Sequence, residues 1–253
     1  MHAIILAAGQ GNRLAKFNPD GRPKCLLEFG GQSLLARQLD VLFQLGVQKA
    51  SLVVGYEADL IIDHVGTLTS RPEVACVYNP AFKEGSVLSL LAARDAMTST
   101  ETVLVLDADV LFHPQIMQRL VDSSHENCFL IDRNFVPGDE PVKIAIHKGQ
   151  MVEFRKALPD DLKFETLGES VGFFKFDGNI ALKIAQICEG YKTEGLLGAP
   201  HEEALRDILL ALPRAFSYED VSGLPWLEID FPEDVERAIK QVLPAIRRDL
   251  VDF

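Results

Sequence analysis

Apolar and polar positions change their period repeatedly along this chain, and each change marks an element. Residues 2–8 (HAIILAA) form a short apolar run that Gly9 ends, which predicts a buried strand. Over 33–45, Leu35, Leu39 and Leu42 share one helical face behind Ser33, a residue suited to cap the first turn, and Gly46 stops the pattern. SLVVG (51–55) and VACVY (74–78) read as two further strands, and SVLSLLAARDAM (86–97) as a helix with Ser86 in the capping position. TVLVLD (102–107) is almost wholly apolar, as expected of a strand covered on both faces. Pro114 then opens a short helix.

This alternation predicts an α/β fold with a parallel sheet between layers of helices. Near residue 141 the pattern changes. VKIAIH and MVEFRK flank Lys148-Gly149-Gln150 as a hairpin, and SVGFFKF (170–176) is another strand. Helices are expected near 178–189 and 202–212, and WLEI (226–229) is a short strand before a helix opened by Pro232. No internal repeat or low-complexity linker interrupts the 253 residues, so one domain over 1–253 is expected, its second part α+β.

Composition narrows the class. No stretch reaches the roughly 20 apolar residues of a membrane span, and the N-terminus lacks the features of a signal peptide, so a cytoplasmic location is the default. The four cysteines are far apart and form no Cys-x-x-Cys pair, which predicts buried thiols rather than a zinc site or disulfide scaffold. A net charge of -12 disfavours nucleic acid and anionic membranes as partners. The opening segment runs against that balance: residues 1–40 hold five basic side chains (Arg13, Lys16, Arg22, Lys24, Arg37) and three acids. A small anion would account for it.

LAAGQGNRL (6–14) places Gly9 and Gly11 directly after the first strand. Glycines there let backbone N–H groups approach an anion, with Leu6, Ala7, Ala8 and Asn12 around them. A dinucleotide fingerprint would need glycine where Leu14 stands, and no Gly-Lys-Ser/Thr triplet follows as in a P-loop. On the glycines alone, a structural turn fits equally well. Arg13 and then Lys24, stiffened by Pro23, add two cations near the loop, which suits a triphosphate. Farther on, Asp107 and Asp109 end an apolar strand, where ligand sites of open α/β sheets lie. Period-2 geometry puts both on one face, and two carboxylates there call for a cation between them. Glu228 and Asp230 form a second such pair in WLEID.

LAAGQGNRL followed by RPKCLL resembles the signature of the sugar-phosphate and alcohol-phosphate nucleotidyltransferases. The resemblance runs on through VLDADVLF (105–112), MVEFRKAL with GESVGFFKF, HEEAL (201–205) and PWLEIDFPEDVERA (225–238). In these later segments the chain is similar to the CTP-dependent phosphocholine and 2-aminoethylphosphonate cytidylyltransferases. The resemblance implies a Rossmann-like, mixed, mostly parallel sheet of the GT-A-like kind, with an inserted β-hairpin and C-terminal helices. It implies a nucleotide-binding part over 1–135 and an acceptor-binding part over 136–253. It also implies Mg²⁺ held by Asp109 and Asp230, Arg13 and Lys24 on the triphosphate, and Lys156 on the acceptor's phosphate. Glu169, Glu202, Trp226 and Glu228 would face the acceptor. The expected partners are CTP and a small phosphorylated or phosphonate amino-alcohol; oligomeric state, a homodimer included, is left open. The expected reaction is in-line attack of the acceptor's oxyanion on the α-phosphorus, without a general base, since a phosphomonoester is mostly ionised at pH 7. Tyr191 and Tyr218 are further candidates for an aromatic wall.

Two details qualify the branch. The related inositol-phosphate cytidylyltransferases have Asp where Glu228 stands, so WLEID leans toward the amino-alcohol branch. Lys83-Glu84 replaces a smaller polar stretch near the base, so CTP over UTP rests on the branch alone. Inositol-1-phosphate or sugar-1-phosphate acceptors are the alternative. A non-catalytic sensor on the same fold is the other, and it would be expected to lose one of Arg13, Lys24, Asp109 or Asp230; all four are present.

Overall fold

A computed structural model describes residues 1–14, 21–98 and 101–251 of the chain. Lys16, from the basic opening segment, lies outside the described residues. The strands are β1 (His2–Ala7), β2 (Glu28–Phe29), β3 (Gln32–Ser33), β4 (Lys49–Val54), β5 (Glu73–Tyr78), β6 (Val103–Asp107), β7 (Val110–Phe112), β8 (Cys128–Asp132), β9 (Lys143–His147), β10 (Gln150–Arg155), β11 (Thr166–Phe176), β12 (Ser217–Asp220) and β13 (Trp226–Glu228). The helices are α1 (Leu34–Gln44), α2 (Ala58–Thr67), α3 (Ser86–Ala92), α4 (Arg94–Met97), α5 (Pro114–Asp122), α6 (Gly178–Thr193), α7 (His201–Ala211), α8 (Pro232–Arg237) and α9 (Leu243–Val251).

The main sheet is mixed. Strands β6-β1-β4-β5 are parallel, as the βα alternation requires. Beyond β6, the long β11 pairs antiparallel with β6, β8 and β9, and β9 and β10 form the expected hairpin. Alternation along β6 splits its apolar residues between two cores. Val103 and Val105 join a cluster with α3, α6 and α7, in which Phe129 meets Phe154, Phe174, Phe176 and Phe216 edge to face. Leu104 and Leu106 join the other, with α1 and α5. A third cluster packs Leu111, Leu227 and Ile229 against Leu243 and Ile246, so the C-terminal helices buttress β7 and β13.

Local chemistry explains the boundaries. Ser33 caps α1 by accepting from the Ala36 N–H at 3.0 Å. Asp177 accepts from the N–H groups of Asn179 and Ile180 and starts α6. Ser86 is not a cap: Gly85 holds that place, and the Ser86 hydroxyl instead accepts from the His201 backbone N–H at 2.8 Å. Cys25, Cys128 and Cys188 are buried as expected, but Cys76 is exposed because β5 lies at the edge of the sheet.

Candidate active site

A cleft of about 310 Å³ opens where β1 ends. Leu6, Ala7, Gly9, Gly11, Asn12, Arg13 and Lys24 line it, together with Ala108, Asp109 and Asp230. Ala8 does not, because it is buried and its carbonyl accepts from the Tyr56 N–H. Gly11 has φ +64°, and a Cβ there would lie 2.7 Å from Lys24 Cγ. Glycine is thus needed both for the backbone turn and for the lysine stem that crosses it.

Two segments distant in sequence bring the carboxylates together. β13 pairs antiparallel with β7, and the Ile229 N–H donates to the Asp109 carbonyl at 3.0 Å. Asp109 therefore sits beside Glu228 and Asp230, with carboxylate oxygens of all three within 4.8 Å of one another. The Asp234 carboxylate accepts from the Asp230 and Phe231 N–H groups at 3.1 and 2.8 Å and fixes the turn that presents Asp230.

Cations meet this trio. The Lys24 ammonium donates to Asp109 Oδ2 at 2.9 Å and also to Asp230. Burial works to lower the Lys24 pKa, but Asp109 and Asp230 outweigh it and hold the ammonium above its ordinary value. Arg13 donates to Asp230 at 3.2 Å and to Glu140 at 3.3 Å, and its guanidinium lies 5.0 Å from the Phe231 ring centre. Glu140 also accepts from Lys156 at 3.1 Å. Hydrogen bonding to Lys156 is the main cause that holds Glu140 below its ordinary pKa. A chain of alternating charge thus runs from Lys24 through Asp230, Arg13 and Glu140 to Lys156.

Period-2 reasoning fails at Asp109. β6 ends at Asp107, and Ala108–Asp109 form a turn. Asp109 consequently faces the glycine-lined cleft, whereas Asp107 lines a separate small hollow with Glu202 and Glu228. Burial first, then the charges on Glu202 and Asp109, pushes the Asp107 carboxyl well above its usual range. Burial and the charges on Asp109, Asp230 and Asp107 do the same to Glu228. By surface area Glu228 is open to solvent. Protein nevertheless crowds its carboxylate, and the crowding sets the direction.

The residues expected to face an acceptor divide between neighbouring hollows. Trp226, Glu169 and Glu228 line one of about 250 Å³, with Asp132 and Phe231. The Trp226 N–H donates to Asp132 Oδ2 at 2.8 Å, which fixes the ring. Burial, then the neighbouring Asp132, raises the Glu169 pKa to about 7, against the pull of Arg237 and Lys143. Glu202 and Lys156 stand apart from Trp226, in the small hollow with Glu228. Neither Tyr191 nor Tyr218 lines these hollows: Tyr191 bonds Asp207, and Tyr218 packs on the core beside β8. Sequence reasoning missed Glu140, Asp132 and His201. Only His201 carried a signal, through its place in HEEAL.

Comparison with known proteins places the chain in a class. A family model for the MobA-like NTP transferase domain matches residues 3–164, and the chain belongs to that family of nucleotidyltransferases. CMP-5′-(3-aminopropyl)phosphonate synthase from Streptomyces rubellomurinus is 28% identical over 94% of this chain, which spans 38% of that protein's length. CTP:phosphoglutamine cytidylyltransferase from Campylobacter jejuni is 23% identical over 95% of this chain and 100% of its own. UTP–glucose-1-phosphate uridylyltransferase AglF from Haloferax volcanii is 42% identical over 94% of this chain and 95% of its own.

Solved structures show the same fold at low identity. The inositol-1-phosphate CTP transferase from T. maritima has a TM-score of 0.79 at 19% identity, covering 98% of this chain and 95% of that one. The CTP:phosphocholine cytidylyltransferase from Streptococcus pneumoniae has 0.71 at 19%, covering 93% and 96%. Among the described residues no helix is long and apolar enough to cross a membrane.

Proposed function

We propose that this chain transfers CMP from CTP to a small phosphorylated or phosphonate amino-alcohol and releases pyrophosphate. The observation that carries this reading is the meeting of Lys24 and Arg13 with the carboxylate trio, between a glycine-lined cleft and hollows rich in carboxylates. The cleft takes the nucleotide as its substrate. The carboxylate-rich side favours a cationic head group over a neutral polyol. Relatives named for an aminopropylphosphonate product and for phosphoglutamine support an acceptor of this kind.

The trio fits a divalent cation. It offers only hard oxygen donors, and a positive charge, the Lys24 ammonium, already lies between Asp109 and Asp230. Asp109 and Asp230 would hold Mg²⁺, with Glu228 beside them, and the bound ion would supply charge neutralisation on the phosphates. Lys24 would then turn from the carboxylates to the triphosphate. Arg13 lines the same cleft and adds a second positive charge. Lys156, half-exposed beside the small hollow, orients the acceptor's phosphate or phosphonate. An oxygen of that group attacks the α-phosphorus, the bond to the β-phosphate oxygen breaks, and pyrophosphate leaves with the electron pair. That oxygen is already ionised, so these residues act by position and charge.

A second reading is favoured by the 42% identity to the Haloferax uridylyltransferase: a nucleotidyltransferase acting on a sugar 1-phosphate. Pyrophosphate release by the full chain separates the two. CTP and UTP are each offered, with Mg²⁺, against phosphoethanolamine, phosphocholine, 2-aminoethylphosphonate, inositol 1-phosphate and glucose 1-phosphate. CTP with an amino compound should be fastest. Faster turnover of UTP with glucose 1-phosphate than of every amino compound would establish the second reading.

A further inference from the structure

A single carboxylate oxygen joins the two halves of the site. Glu140 Oε2 accepts from Arg13 Nη1 at 3.3 Å and from Lys156 Nζ at 3.1 Å. Arg13 follows the glycine loop after β1 and lines the nucleotide cleft. Lys156 follows β10 and lines the small hollow with Glu202. Glu140 belongs to neither segment: it lies in the loop between β8 and β9. Its carboxylate thus occupies both of the cations that the proposed reaction gives to phosphorus oxyanions, one on the nucleotide and one on the acceptor.

The loop is built to hold that carboxylate in place. The Lys143 ammonium donates to the carbonyls of Gly138 at 2.7 Å, Pro141 at 3.4 Å and Lys156 at 2.5 Å. Its three N–H donors therefore go to backbone on both sides of Glu140 and to the backbone of the lysine that Glu140 meets. Pro141 also restricts the backbone of Glu140 before it. The contacts inside this frame are weaker than the frame. Side-chain exposure is 50% for Arg13, 48% for Lys156 and 54% for Glu140, and ion pairs so open to water are easily exchanged for others.

We propose that Glu140 is a positioning residue that couples the two substrates: in the free chain it stands in for their oxyanions, and either substrate, on arriving, frees the cation that the other needs. The inference rests on the roles proposed above for Arg13 and Lys156, and it holds for a sugar phosphate acceptor as well as for an amino compound. Because one oxygen makes both contacts, an oxyanion that takes its place expels the side chain from both cations at once. The first substrate bears the cost of displacing Glu140, and the second finds its cation free. The coupling is reciprocal, whichever substrate binds first. Glu140 makes and breaks no bond to phosphorus; until the substrates come, it keeps two cations of like charge together and aimed at one point.

The test is calorimetric binding to the full chain with Mg²⁺. The nucleotide is α,β-methylene-CTP, which carries carbon in place of the oxygen to be cleaved and so binds without transfer; the acceptor is 2-aminoethylphosphonate. Each is titrated alone and in the presence of the other. An exposed ion pair is worth a factor of about two to five. Glu140→Gln should therefore tighten each ligand, bound alone, by about two- to fivefold, and should lower the coupling between them by a similar factor. Direct contact between the two ligands is the same in both proteins, so the change in coupling isolates Glu140. Glu140→Asp, which keeps the charge on a shorter arm, should leave the coupling above that of the Gln variant. Asp139→Asn removes a charge from the same loop and should not change the coupling. The proposal is overturned if Glu140→Gln weakens either ligand bound alone, as a structural or acceptor-binding role would require, or if the coupling in Glu140→Gln equals that of the unaltered chain. It is overturned too if Asp139→Asn lowers the coupling equally, which would make the effect one of net charge. The same titrations with α,β-methylene-UTP and glucose 1-phosphate separate this inference from the amino-alcohol reading. If only that pair binds, the amino-alcohol reading falls and Glu140 is judged on that pair by the same criteria; if neither pair binds, both fall.

Discussion

Lys24→Met keeps the stem that crosses Gly11 and removes only the ammonium, so it isolates the charge. At an effective dielectric of about 20, two unit charges 4.8 Å apart repel by roughly 3.5 kcal/mol, and the trio contains three such pairs at or within that distance. Removing one partner of a buried ion pair typically costs about 3–5 kcal/mol. Here the Lys24 side chain is 17% exposed and the two carboxylates 22%, and Arg13 remains beside Asp230, so about 2–3 kcal/mol is expected. For a domain of this size that lowers Tm by about 4–12 °C in the presence of EDTA. Millimolar Mg²⁺ without nucleotide should recover much of the loss in the variant, where nothing competes for the carboxylates. It should stabilise the unaltered chain less, because there the ion must displace the ammonium. Thermal unfolding of both proteins with EDTA and with Mg²⁺ measures all four values. Equal Mg²⁺ shifts in the two proteins, or a variant as stable as its parent in EDTA, would refute the assignment of Lys24 as resident counter-charge. A turnover loss below about tenfold, 1.4 kcal/mol, would separately remove it from the reaction.

Asp109→Asn and Asp230→Asn should each abolish Mg²⁺-dependent turnover in protein that still unfolds cooperatively; near-normal pyrophosphate release in either would take that residue out of the metal site. Gly11→Ala forces a Cβ into the Lys24 stem at φ +64°, so the KM for nucleotide should rise about tenfold and stability fall by about 1–2 kcal/mol; an unchanged KM would show the turn to be merely structural. Glu169 titrates at about 7 in the folded chain against an ordinary 4.5. A raised carboxyl pKa gives stability that is complete below pH 4.5 and lost as pH rises toward 7. Urea unfolding should record a loss of about 2 kcal/mol across that window, discounted for partial exposure, and Glu169→Gln should remove it.

The parts of the fold that were legible in the sequence are those with a sharp period or a capping residue. β1, β6 and α1 are examples: continuous apolar runs, or a Ser33 cap with leucines on one face. α2 escaped because its pattern is blurred. Leu60 and Ile62 are exposed while Ile61 and Val65 are buried, and its first turn follows Glu57 at φ +46° with no side-chain cap. β12 escaped because it is short and only half-buried, and the pairing of β8 and β12 with β11 and with each other is set by tertiary packing. The glycine loop with Arg13 and Lys24 was legible because it is local. The division of Asp107 from Asp109 was not, since it depends on where the strand stops. Glu140 gave no signal, as its role comes only from two cations converging from distant segments.

The short ladder between β7 and β13 has a consequence for exchanging parts among relatives. Trp226 and Glu228 on β13, and Asp230 just after it, serve two purposes within five residues: they line the hollow proposed above for the acceptor and they supply two of the three clustered carboxylates. The matched family region ends at residue 164, well before this strand. Any swap meant to graft a new acceptor preference onto the N-terminal half therefore also imports a foreign half of the carboxylate cluster. Under the proposed function, specificity and chemistry are not separable modules in this chain. A chimera can be expected to work only where the incoming strand restores the register that sets Glu228 against Val110.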